Sequence, residues 1–188
     1  YSEIEKVDII EMVSHPMIRK ALRWGNGPPP SQIEITALAD IPAGTGLGSS
    51  GSFAVALTKA LYAYWRWMGS SELIAQMACE LEQGGKQDPY IAAYGGITAF
   101  TFRPDELVRH EAVKLSADTL NDLEDNLLLF FTGFTRSAAE ALRPQVNEAE
   151  ERKNLSAVKM LGQSSQLALE RGDMREFADL LNEQWNGK

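Results

Sequence analysis

Residues 40–53, DIPAGTGLGSSGSF, place four glycines and three serines between a segment that alternates like a strand and one with the spacing of a helix. Glycine adopts backbone conformations closed to other residues, so a run of this kind forms a loop that something can approach closely. A helix starting at about residue 50 would present unpaired amides and the positive end of its dipole to that loop. The combination marks an anion site; a plain tight turn would need only one or two of the glycines.

Two familiar phosphate patterns can be weighed against this stretch. Gly46-Leu47-Gly48-Ser49-Ser50-Gly51 satisfies the dinucleotide fingerprint literally. That site also requires a second strand after the first helix, ending in an acidic residue that grips the ribose. Here WMGSSELIAQMACELE passes from helix straight into helix, which makes the match accidental and a hydride-transfer enzyme the weaker reading. A P-loop needs a lysine directly after its last glycine, and the next lysine is Lys59, well along the helix.

Patterning along the chain predicts a mixed α and β architecture. SQIEITALAD alternates Ile33, Ile35, Ala37 and Ala39 with polar neighbours and predicts a half-buried strand, preceded by a GNGPPP loop. Phe53, Ala56, Leu57, Ala60, Leu61, Tyr64 and Met68 predict a buried helix. Ser70 or Ser71 then caps a second helix whose inner face is Leu73, Ile74, Met77, Ala78 and Leu81. YGGITAFTF reads as a turn entering a strand, and NLLLFFTG as a fully buried strand closing on Gly133. Leu155, Val158, Leu161, Ser165 and Leu169 form one helical stripe that Gly172 stops, and Asp173 with Glu176 makes a capping box for the last helix. The polar NDLEDN stretch predicts a domain boundary near 122–126, dividing the chain into 1–122 and 123–188.

Composition excludes several function classes. With 44% hydrophobic residues in 188, the chain can bury a core, and a net charge of -8 lacks the basic footprint of a nucleic-acid or membrane-surface binder. No apolar run has the length of a membrane span, and the opening YSEIEKVDII has no signal-peptide pattern, so a cytoplasmic location is expected. Cys79 is the only cysteine and falls in an apolar helical pattern, which suits a buried structural thiol. His15 and His110 stand at no metal or nucleophile spacing.

IPAGTGLGSSGSF resembles the phosphate-binding motif P-x-G-x-G-L-G-S-S of the GHMP kinases. GGKQDPYIAAYGGITAFTF is similar to a stretch of the sugar-1-kinase branch that includes heptose 7-phosphate kinases, as are HPMIRKAL, LLLFFTGFTRSA and LLNEQW, so the likeness runs over nearly the whole chain. It implies a two-domain α+β fold, the first domain like the second domain of ribosomal protein S5 and the second ferredoxin-like, with the active site in the cleft between them. It implies ATP and Mg2+ as cofactors and a small-molecule sugar phosphate as substrate; a homodimer is allowed.

Carried over position by position, Pro42, Gly44, Thr45, Gly46, Leu47, Gly48, Ser49 and Ser50 would form the nucleotide cradle. The Ser50 hydroxyl and the Glu82 carboxylate, with Glu80 as competitor, would hold the metal. Asp88 matches the catalytic base, and Lys86, Gln87 and Arg136 match substrate contacts. On its own, an aspartate before proline reads as a turn residue, and the basic residues as solvated side chains.

The departures are as specific as the match. The family's amino-terminal motif and its later glycine-rich motif are missing, Pro89 replaces the usual glutamine, and Gly51 stands where many relatives have alanine or serine, which reads as a mild change. Glu82 and Asp88 are six positions apart where relatives resembling this chain have about twice that, which implies either a deletion here or further residues between Leu81 and Gly84, the second being the preferred reading. A start without a start signal and the bare helix end NEQWNGK predict flanking sequence at both termini. The expected activity is phosphorylation of a sugar's anomeric hydroxyl, with D-glycero-D-manno-heptose 7-phosphate as acceptor. A fucose- or galactose-type kinase and a non-catalytic nucleotide or sugar binder are the alternatives.

Overall fold

The computed structural model describes residues 4–24, 30–41, 44–82, 84–131, 133 and 148–186, with 148–154 described by backbone alone. These residues separate into two compact units, the first holding those up to Gly95 together with Gly133, the second the remainder from Gly96. Among the described residues, no helix is long and apolar enough to cross a membrane.

The first unit is helical. A short 3-10 turn, Ile10–Met12, leads into α1, Pro16–Leu22, followed by α2, Ser49–Tyr64, α3, Ser71–Leu81, and α4, Gln87–Tyr94. α2 packs against both α3 and α4, and these two pack against each other. Their shared core is Ala54, Val55, Leu57, Leu61 and Tyr62 from α2, Ile74, Ala75, Ala78 and Leu81 from α3, and Tyr90 and Ala93 from α4. Four of these residues, Ala54, Ala75, Ala78 and Ala93, are alanines, whose short side chains permit close helix packing. Thr58, the buried polar residue of α2, satisfies its hydroxyl by donating to the Ala54 carbonyl at 2.7 Å.

Local signals set most of the helix ends. Ser70 caps α3, its hydroxyl accepting from the Leu73 amide at 3.2 Å. His15 caps α1 through Nδ1, which accepts from the Ile18 amide at 3.4 Å, and its ring lies 5.2 Å from that of Phe53. α4 carries Pro89 in its first turn, where a missing amide forfeits no intrahelical bond. Asp88 is therefore a helical residue, not the turn residue that an aspartate before proline suggests.

The helix stripe read from α2 is rotated relative to the buried face. Ala54, Val55 and Thr58 face the core, whereas Tyr64 is 51% exposed and Met68, beyond the helix end, 96%. Ala60 and Tyr64, with the outer edges of the buried Leu57 and Leu61, line one wall of an open groove whose other wall is Ile33, Glu34, Ile35 and Thr36. Segment 31–40 is not a strand. Alternation prepares a face for pairing, but a ladder needs a neighbouring strand, and the described residues offer this segment none.

The second unit contains the sheet, an antiparallel pair of β1, Thr98–Phe102, and β2, Val108–Ala112, in register from Thr98 opposite Ala112 to Phe102 opposite Val108. The turn between them is closed by a bond from the Arg103 amide to the Leu107 carbonyl at 3.0 Å. α5, Ala117–Asn126, α6, Glu148–Arg171, and α7, Met174–Asn186, complete the unit. Gly172, at φ 73, ends α6, and the Asp173 amide bonds back to the Ala168 carbonyl at 2.9 Å. Only half of the expected capping box forms. Asp173 Oδ1 accepts from the Glu176 amide at 2.9 Å, while the Glu176 carboxylate pairs with Arg171.

The NLLLFF run departs most from expectation. Leu127 to Phe131 form no strand, and their exposure runs from 60% at Leu127 to 81% at Leu129. A continuous apolar run demands burial on both faces, and no described element supplies either.

Candidate functional site

The amino terminus of α2 organises the site. Gly44, Gly46 and Gly48 have φ of 77, 78 and 68, and Thr45 and Leu47 between them are not in the positive-φ region. Alternating handedness of this kind turns successive backbone amides toward one side of the loop, and residues with a Cβ would pay strain at each left-handed position. Gly48 is the residue before α2 and has no side chain with which to cap it. The first amides of α2, from Ser49 to Gly51, therefore lack the side-chain acceptor that α1, α3 and α5 receive from His15, Ser70 and Ser116.

Two carboxylates converge on this end. Glu82, the residue that closes α3, accepts through Oε1 a hydrogen bond donated by the Ser50 hydroxyl. Its Oε2 is buried without a hydrogen-bond partner. Burial pushes the Glu82 carboxyl above its ordinary value, the Ser50 bond opposes this, and the nearby Asp88 charge adds to the rise. Glu80 is exposed and meets Lys20 only through its backbone carbonyl, so Glu82 is the carboxylate at the site.

Asp88 lies against the α2 backbone itself. A Cβ placed on Gly48 would be 3.4 Å from Asp88 Cγ and 3.5 Å from Oδ2. One on Gly51 would be 2.7 Å from Asp88 Cβ, 2.9 Å from its carbonyl carbon and 3.0 Å from the Pro89 nitrogen. Gly51 and Pro89, two of the departures from the family pattern, are thus in direct contact. Gly51 is not a mild change in this chain, because the approach of α4 leaves no room for a side chain. Six positions of separation are enough for both carboxylates to reach α2, since Glu82 directly follows the end of α3 at Leu81 and α4 begins at Gln87.

The remaining candidates are less central. Lys86 precedes α4 and Gln87 opens it with an exposed side chain. Ser49 opens α2, and Leu47 is 46% exposed. Pro42 and Arg136 lie outside the described residues. Cys79 is half-buried on α3 with its thiol pushed up to about 11, chiefly by burial, which keeps it protonated and inert near neutrality.

The donor set fits a hard divalent cation. A hydroxyl, a carboxylate with an orphaned buried oxygen and a second carboxylate close by are oxygen ligands of the type Mg2+ takes. Among the described residues, no three His, Cys, Asp or Glu side chains form a closed cage. An ion here would draw its other ligands from phosphate and water, which is the usual state of Mg2+ at a nucleotide.

Comparison with known proteins bears on this arrangement. The family description "GHMP kinases N terminal domain" matches residues 10–96, which span the glycine loop, both carboxylates and helices α1 to α4. Residues 10–96 are a GHMP kinase N-terminal domain. The chain is 27% identical over 97% of its length to D-glycero-alpha-D-manno-heptose 7-phosphate kinase of Campylobacter jejuni. It is 33% identical over 81% of its length to the bifunctional fucokinase/GDP-fucose pyrophosphorylase of Arabidopsis thaliana. A crystal structure of D-glycero-D-manno-heptose 1-phosphate kinase from Bacteroides thetaiotaomicron superposes with a TM-score of 0.76 at 28% identity over 92% of the chain. The chain spans 55% of the Campylobacter protein, 16% of the Arabidopsis protein and 53% of the crystallised chain.

Sequence reasoning missed three features of the GHMP domain. It gave no reason for Gly51, whose signal was its place three residues into a helix, where glycine is otherwise costly. It left Asp88 outside a helix. It also passed over Tyr90 and Tyr94, which their four-residue spacing places on one face of α4.

Proposed function

We propose that the full-length protein is an ATP- and Mg2+-dependent sugar kinase that phosphorylates the anomeric hydroxyl of a sugar phosphate, with D-glycero-D-manno-heptose 7-phosphate as acceptor. The observation that carries this reading is the convergence of Ser50, Glu82 and Asp88 on the uncapped start of α2. Phosphoryl transfer needs little from a protein beyond positioning and charge stabilisation. Amides from Gly44 to Ser50 would hold the phosphate tail, and Pro42 is proposed as a further nucleotide-binding position. Ser50 and Glu82 would hold Mg2+, which supplies charge neutralisation at the phosphate oxygens. Asp88 would orient the acceptor hydroxyl and take its proton as attack proceeds. Lys86, Gln87 and Arg136 are proposed as acceptor contacts, Arg136 suiting the sugar's own phosphate by its bidentate geometry. In the same reading, an S5-like first domain gives way to a ferredoxin-like one near residue 123.

The similarity to fucokinases at 33% identity favours one second reading, a fucose-type acceptor on the same phosphate machinery. Coupled ADP release by the full-length protein separates the two. Turnover is expected with heptose 7-phosphate and not with L-fucose, and the reverse order would replace the first acceptor by the second. Asp88→Asn is expected to remove turnover while nucleotide binding persists; full activity in that variant would remove Asp88 from the chemistry.

A further inference from the structure

α4 is gripped on the side opposite its catalytic candidate. Asp88 faces the α2 backbone at Gly48 and Gly51. At about 100° per residue, Tyr90 and Tyr94 stand roughly 200° and 240° further round the helix. The Tyr90 hydroxyl donates to Oε1 of Glu72 on α3 at 2.8 Å, and the Tyr94 hydroxyl donates to Oε2 at 2.9 Å. Gln76, one turn along α3, donates to Oε1 at 2.7 Å. Tyr90 is 2% exposed, and the two tyrosine rings stack at 6.2 Å with an interplanar angle of 9°.

Burial of small side chains such as Ala75 and Ala78 on α3 and Ala93 on α4 holds the two packed helices together but does little to stop one rolling on the other. Two hydroxyls one turn apart, each bonded to a different oxygen of one carboxylate, do stop it, because such bonds are short and directional. A roll of about 20° moves an atom 5 Å from a helix axis by roughly 2 Å, far more than phosphoryl transfer tolerates. We propose that Glu72 is a positioning residue for Asp88: with Tyr90 and Tyr94 it fixes the roll of α4, and so the place of the Asp88 carboxylate against Gly48 and Gly51. The effect on turnover rests on the kinase reading, whereas the effect on the place of Asp88 rests on geometry alone.

The test uses the full-length protein carrying Tyr90→Phe with Tyr94→Phe, and Glu72→Gln as a milder change that keeps one acceptor oxygen should the pair fail to fold. The first measurement is the nuclear Overhauser contact between the Asp88 β-protons and the Gly51 α-protons in selectively labelled protein. It should weaken severalfold in the variants while contacts between α2 and α3 persist, and an unchanged contact overturns the proposal. The second is a split of kcat against KM: kcat should fall by about 100-fold, the loss typical of a 1 Å misplacement, with KM for ATP within about twofold. A lower Tm with kcat unchanged per folded molecule would assign the clamp to stability alone and overturn the proposal. A wild-type protein without kinase activity would defeat the functional reading, and the proton contact would still decide this one.

Discussion

Replacing Gly51 with alanine tests how α4 sits on α2. The new Cβ would lie 2.7 Å from Asp88 Cβ, 2.9 Å from its carbonyl carbon and 3.0 Å from the Pro89 nitrogen. Carbon atoms in contact rest about 3.5–4.0 Å apart, so the overlap is roughly 1 Å. None of the three atoms is the far end of a flexible side chain, and the first turn of α4 must move as a unit. Overpacking of this kind costs about 1–3 kcal/mol, while alanine in place of glycine inside a helix returns at most about 1 kcal/mol. The net loss is about 0–3 kcal/mol, and each kcal/mol corresponds to about 2–4 °C in Tm for a chain of this size. Ser52→Ala, exposed on the same helix, meets no such collision and serves as the control. Thermal unfolding of the two variants beside wild type should place Gly51→Ala lowest. Activity is the sharper measure, because a shift of Asp88 by about 1 Å should lower kcat by about 100-fold. A Gly51→Ala protein that unfolds no earlier than the control and turns over normally would refute the close packing of α4 on α2.

Glu82 gives a pH prediction. Its carboxyl is raised above the ordinary 4.5, so the folded state holds a proton that the unfolded state has released, and stability falls as pH rises from that value through the folded one. Glu82→Gln should lose this fall between acid and neutral pH in urea titrations without metal, and should also lose the stabilisation that Mg2+ with nucleotide gives wild type; an unaltered pH profile would remove the buried charge as its cause. Cys79, with its thiol near 11, should be almost wholly protonated at pH 8, about one thiolate in a thousand. It should react slowly with a disulfide reagent until urea unfolds the chain, and rapid labelling of the native protein would contradict its placement on α3.

Legibility followed the range of the interaction involved. The start of α2, the Ser70 cap, the Gly172 stop and β1 could all be read from a few adjacent residues, because capping and left-handed turns are settled within one helical turn. β2 was not read, since Arg109, His110 and Glu111 are all exposed and leave no clean alternation. Segments 31–40 and 127–131 were read as strands from patterns that state a need for partners without supplying them.

The sequence by itself determined that this chain carries a glycine loop opening into a helix, together with the serine and the two carboxylates proposed to serve it. Only the tertiary structure decided that these meet. Glu82 reaches Ser50, and Asp88 rests on Gly48 and Gly51, because α3 and α4 pack on α2 through small residues, and the distance between helices is a property of no single segment. The same packing gave Gly51 its purpose and turned Asp88 from a turn residue into the first turn of a helix. A side chain's own chemistry is written in its residue type, whereas its neighbours are chosen by the burial of surfaces far apart along the chain.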